Sequence, residues 1–135
     1  MSADYNFRNL ILWQKSQQLT LDVIKLIALM PRTAVADVIV KQIIRSSSSI
    51  AANIAEGHGR FTPGAHSNHL SIAKGSACET DGWLDLLRKS GFIGADQEQR
   101  LHAVCLEIVA MLTAKILELE KIKPTTARRA PVIHR

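Results

Sequence analysis

The stretch VADVIVKQIIRSSSSIAANIAEGHG, residues 35–59, sets Val35, Ile39, Gln42, Ser46, Ile50, Asn53 and Gly57 at spacings of three and four. That rhythm brings all seven to one face of an α-helix. Gly57 and Gly59 supply the left-handed conformations that commonly end one. Upstream, Leu12, Ser16, Leu19, Val23, Leu26 and Met30 repeat the pattern until Met30-Pro31, because the residue before a proline is pushed out of the helical region. Downstream, Thr62-Pro63 offers an N-cap followed by proline at the first helical position. A third seam then runs through Leu70, Ala73, Ala77, Thr80, Leu84 and Leu87 to Gly91. A fourth opens at Asp96, with Gln99 in capping-box spacing, and continues through Leu101, Cys105, Ile108, Leu112 and Leu119 to Lys123-Pro124. No segment alternates as a strand does. Four long amphipathic helices with short connections predict an all-α, up-down-up-down antiparallel four-helix bundle over residues 1–123, with 124–135 as a flexible basic tail.

Serine is a mediocre helix former, so the run Ser46-Ser47-Ser48-Ser49 in mid-helix needs a reason. Gly75 in the third helix is equally out of place. Folding the chain back at residues 58–61 sets Ser49 near Gly75 and Ser46 near Ala77, which predicts close approach of the second and third helices. The apolar stripes are also too broad. Leu21, Ile24 and Ile27 lie off the first seam, and Val104, Val109, Met111 and Ile116 off the fourth. One bundle core buries one face of each helix, so the surplus predicts a homo-oligomer.

The chain has 135 residues and is 47% apolar, which excludes wholesale disorder, and no run nears the ~18 apolar residues of a spanning helix. The N-terminus lacks a basic region followed by an apolar one, and Cys78 and Cys105 match no metal or redox spacing; both suit a cytoplasmic protein. The net charge of +5 comes entirely from residues 121–135, where Lys121, Lys123, Arg128, Arg129 and Arg135 meet no acid. Residues 38–75 carry Lys41, Arg45, Arg60 and Lys74 against Glu56 alone, whereas residues 76–120 are net acidic.

The run from Ser49 to Arg60 resembles the signature of the 23S rRNA intervening-sequence protein family. Phe7, Leu10 and Trp13-Gln14-Lys15 are similar to that family's opening, Gln42 and Arg45 to the polar pair before its signature. Ile72-Ala73, Gly75-Ser76 and Glu79 resemble its third-helix motif. The resemblance covers residue 7 to about 121. Ala51 replaces a frequent proline, and Ala65-His66 replace a common acidic residue. The resemblance implies a bacterial four-helix bundle, a ring-shaped homopentamer and no enzymatic activity. It extends to the accessory proteins of diversity-generating retroelements, which implies nucleic acid and a reverse transcriptase as partners.

The residues themselves leave two readings open. Arg45, Arg60 and Lys74, with His58, His66 and His69, are expected to converge at the turn between the second and third helices. There they either bind phosphates or make ion pairs that hold the fold or the ring. Glu56, misplaced near a helix C-terminus for the dipole, calls for a cationic partner. Arg128 and Arg129 in the tail either reach a nucleic-acid backbone or belong to a solvated terminus. Asn53, Glu56, Gly57 and Gly75 are expected to be structural. No Glu-x-x-His pair and no nucleophile motif is present, so no metal, cofactor or catalytic residue is assigned. The expected function is a non-catalytic oligomer that binds RNA or DNA as an assembly or adaptor factor; the alternative is a structural or protein-interaction ring without a nucleic-acid ligand.

Overall fold

The computed structural model describes residues 6–133, with side chains through Ile122. A 3-10 turn (Phe7–Asn9) precedes four helices: α1 (Ile11–Ala28), α2 (Ala34–His58), α3 (Pro63–Lys89) and α4 (Ala95–Ile133). No strand occurs among the described residues. At about 1.5 Å per residue, α1 is roughly 27 Å long and α3 roughly 40 Å. Each helix packs on the next in chain order, and α1 closes the bundle along a narrower contact with α4. Cross-helix hydrogen bonds fix the directions. Ser46 meets Thr80 and Asn53 meets His69, so α2 and α3 are antiparallel; Ser67 meets Glu120 and Asp81 meets His102, so α3 and α4 are as well.

Thr33 and Thr62 cap α2 and α3 by accepting from the N–H groups of Ala36 and Ala65, at 3.0 and 3.1 Å. Gly91, at φ 83°, ends α3 as the left-handed residue that only glycine adopts cheaply. Phe92 N–H reaches back to Leu87 and Gly91 N–H to Arg88. The first, third and fourth seams are buried almost as read, with Leu19, Val23, Leu70, Leu84, Leu101, Ile108 and Leu112 fully enclosed.

The second helix departs from its reading. Val35 is exposed, and Ala36, Ile43 and Ile54 take the core positions expected of Val35, Gln42 and Asn53. The stripe is turned by one residue because Gln42, Ser49 and Asn53 face α3 and leave the core to their neighbours. Gly57 is helical, and Gly59 closes α2 at φ −86°, so neither is left-handed. Gln97, not Gln99, completes the box at α4, its Oε1 accepting from Gly94 N–H at 2.8 Å, because the helix starts one residue earlier than Asp96. The helix also continues through Pro124, where the sequence pattern ends it. The side chains from residue 123 onward, and with them the basic tail expected at 124–135, lie outside the described residues.

The close approach of α2 and α3 falls at Gly57, not Gly75. A Cβ on Gly57 would sit 3.0 Å from His66 Cδ2, 3.0 Å from His69 Cβ and 3.2 Å from the His66 carbonyl oxygen. Two of those neighbours belong to, or are anchored directly on, the backbone of α3. Around Gly75 nothing lies within 4 Å of the same added atom. Gly57→Ala is therefore expected to lower stability by about 1 kcal/mol or more, overpacking outweighing the gain in helix propensity. Gly75→Ala should raise it by about 0.5–1 kcal/mol. Urea unfolding of the two single variants checks both signs.

Candidate nucleic-acid interface

Along the α2–α3 seam the serine run becomes a ladder of hydrogen bonds. Thr80 Oγ1 donates to the Ser76 carbonyl at 2.8 Å, which leaves Ser46 Oγ to donate to Thr80 Oγ1 at 2.9 Å. Ser76 Oγ donates to Ser49 Oγ at 3.0 Å, and Asn53 Nδ2 donates to the Ser49 carbonyl and hydroxyl at 2.9 and 3.0 Å. His69 continues the chain. Its Nε2 accepts from Arg60 Nε at 3.2 Å, so the ring proton lies on Nδ1 and is donated to Asn53 Oδ1, also at 3.2 Å. Asn53 is thus half-buried and bonded on both faces of its amide. Among the described residues no buried side-chain nitrogen or oxygen lacks a partner.

The three expected body cations do not converge. Arg45 binds Glu79 and Gln42, and Glu79 also accepts from Trp83 Nε1 at 3.1 Å. Arg45 lies roughly 20 Å along the axis of α2 from its end at His58, beyond which Arg60 follows. Arg60 pairs with Glu56 at 3.6 Å, which supplies the partner that carboxylate needs at a helix C-terminus. Lys74 is five positions from both His69 and Glu79, turned about 140° from each, and makes no ion pair among the described residues. The signal missed in the sequence was Glu79, three residues from Ser76 on the face that meets α2, which claims Arg45. Arg128 and Arg129 lie outside the described side chains.

The structure does gather other groups at that end. Leu10, Ile11 and Leu12 at the start of α1, His58 and Ile54 on α2, His66 and Leu70 on α3, and Met111, Lys115 and Glu118 on α4 border a cleft of about 790 Å³. Met111, off the fourth seam, is half-buried there; Leu21 and Ile24 stay exposed, whereas Ile27, Val104, Val109 and Ile116 pack on the core. At the turn, Phe61 is fully exposed beside Arg60. Ser67 Oγ donates to Glu120 at 3.2 Å, which sets the late part of α4 against the start of α3. Of the thiols, Cys78 is exposed, and burial pushes Cys105 up to about 12. No described helix is long and apolar enough to cross a membrane.

The family model of the 23S rRNA-intervening sequence protein matches residues 8–114, and the chain belongs to that family. Its fold is shared with the crystal structure of a protein of unknown function, of the S23 ribosomal protein family, from Bacteroides thetaiotaomicron VPI-5482. The two are 28% identical with a TM-score of 0.71, over 78% of this chain and 98% of that one. No curated protein matches the chain.

His66 gives the site a measurable pH response. Burial, followed by the charges of Lys115, His58 and His69, holds its pKa below the ordinary 6.5. The unfolded chain then takes up the His66 proton first, so the folded state loses stability as pH falls through 6.5 toward the depressed value. His102, raised chiefly by its hydrogen bond to Asp81, titrates in the opposite sense, so the readout is a difference. Between pH 7 and pH 5 the wild type should lose more stability than His66→Gln in parallel urea unfolding; equal losses would exclude His66 as the source.

Proposed function

We propose that the protein is a non-catalytic, homo-oligomeric nucleic-acid-binding factor of the cytoplasm that acts in assembly or as an adaptor. The Ser67–Glu120 contact carries the reading: it starts the basic stretch of Lys121, Lys123, Arg128 and Arg129 beside Arg60 and Phe61. Bases from two parts of the sequence then share one end of the bundle. Arginine and lysine neutralise phosphates, and an exposed aromatic ring offers a base a stacking surface. Arg45, held by Glu79, acts as a strut of the fold, and Lys74 contributes separately from the α3 flank.

Binding should weaken steeply with salt, because each phosphate contact releases counterions with a slope of about 0.9 for duplex and 0.7 for single strands. In the full-length chain, Arg128→Ala with Arg129→Ala should reduce that slope by ~1.4–1.8 per chain without changing the mass of the assembly. Titration of labelled RNA and DNA at two salt concentrations reads both, and no salt-sensitive binding would sink the proposal.

The exposed apolar residues favour self-association and keep a second reading in play, a ring that binds only protein. Leu21 and Ile24 on α1, and Leu106 and Leu117 on α4, are each about half exposed. The pentameric ring implied by the sequence resemblance would cover them. Light scattering at micromolar concentration should give a multiple of 14.9 kDa, near fivefold, and Leu21→Glu with Leu106→Glu should dissociate it. A monomer mass in the wild type would remove both readings' oligomer.

A further inference from the structure

At the opposite end of the bundle, where α3 finishes and α4 begins, a second group of side chains has no part in nucleic-acid binding. On α3, Cys78, Asp81 and Asp85 stand at i, i+3 and i+7; on α4, Glu98, His102 and Cys105 stand at i, i+4 and i+7. Both spacings keep the three residues on one helix face, and the two faces meet. His102 Nδ1 lies 2.7 Å from Asp81 Oδ1, and one ligand atom each from Asp81, Glu98 and His102 lies within 4.8 Å of the other two. All three residues are half-buried.

The local charge is not matched by protein cations. Asp85 pairs with Lys89 at 3.1 Å, but among the described residues Asp81 has only His102, and Glu98 has no ion pair or hydrogen bond through its carboxylate. Two carboxylates and one imidazole, drawn from two helices, form an oxygen-and-nitrogen donor set with room left for water. Borderline divalent ions such as Zn²⁺ take such sets, at about 2.0–2.2 Å per ligand. Ligand atoms so bound sit roughly 3.3 Å apart in a tetrahedron, so the triad need tighten by only about 1–1.5 Å through side-chain rotation.

We propose that Asp81, Glu98 and His102 bind a divalent transition-metal ion of the Zn²⁺ class and thereby clasp the end of α3 to the start of α4. Coordination through Nδ1 displaces the proton that His102 shares with Asp81, to Nε2 in the neutral ring or to solvent from the imidazolium, so two metal bonds replace that hydrogen bond and the Glu98 carboxylate gains a counter-charge. Cys105, one turn along α4 from His102, is buried in the core, and the coordination needs no sulfur.

The test uses untagged full-length protein, stripped with a chelator and titrated calorimetrically with Zn²⁺ alone. The expected result is saturable binding of one ion per chain and a rise in melting temperature with added Zn²⁺. Glu98→Gln keeps the Asp81–His102 hydrogen bond; it should lower the metal-free melting temperature only slightly, by the loss of one first-turn charge, and weaken Zn²⁺ binding at least tenfold. Asp81→Asn should do the same to binding, whereas His66→Gln should leave it intact. Co²⁺ bound at the site should give d–d absorption without a thiolate charge-transfer band. Absence of one-to-one binding would overturn the proposal and leave a plain Asp81–His102 contact. Binding undiminished in Glu98→Gln, lost in His66→Gln, or marked by a thiolate band would overturn it by placing the ion elsewhere.

Discussion

The hydrogen-bonded seam between α2 and α3 is the constraint on which the rest of the molecule depends. An oily seam holds two helices together but tolerates sliding, because one leucine replaces another at little cost. Here Ser46 is keyed to Thr80, Ser49 to Ser76 and Asn53 to His69. Displacing one helix by a turn would strand Ser46 and Thr80, both fully buried, at about 1–3 kcal/mol each, and would break the half-buried pairs as well. The seam thus selects a single register for the hairpin, and α1 and α4 complete the apolar core on its inner side. Hydroxyls small enough to let the backbones approach, and polar enough to specify where, explain why a run of serines stands in mid-helix.

From that seam follows the placement of the charged groups. A fixed register sets Glu79 beside Arg45 and His69 beside Arg60, so both arginines find a partner within the hairpin. It also sets the start of α3 against the late part of α4, where Ser67 meets Glu120. Polarity in this protein is distributed by topology.

The helices were legible because leucine and isoleucine at three- and four-residue spacings, bounded by Pro31, Pro63 and Gly91, admit few other folds. The rotation of α2 was not, because Gln42 and Asn53 occupy positions of the correct period and only the identity of the opposing residues shows that they serve α3. The same blindness affected the glycines. Sequence marks Gly57 and Gly75 alike, but one meets the backbone of α3 and the other meets nothing. Close approach is a property of two chains of atoms and not of one residue. For the site, the partner of Glu56 could be anticipated from the helix dipole, whereas the partner of Arg45 could not be named because its carboxylate, Glu79, stands in another helix. The Asp81–Glu98–His102 group has no contiguous motif to find, since its members come from two helices.

The late start of α1 has a further consequence. This helix begins without a side-chain cap, is the shortest of the four, and closes on α4 by the narrowest of the contacts in the bundle. Leu10, Ile11 and Leu12, at its uncapped start, form one wall of the cleft. Mechanically the molecule is a stiff three-helix slab with a latch laid across its open side. A load on the N-terminus would lift that latch before it disturbed the hydrogen-bonded hairpin.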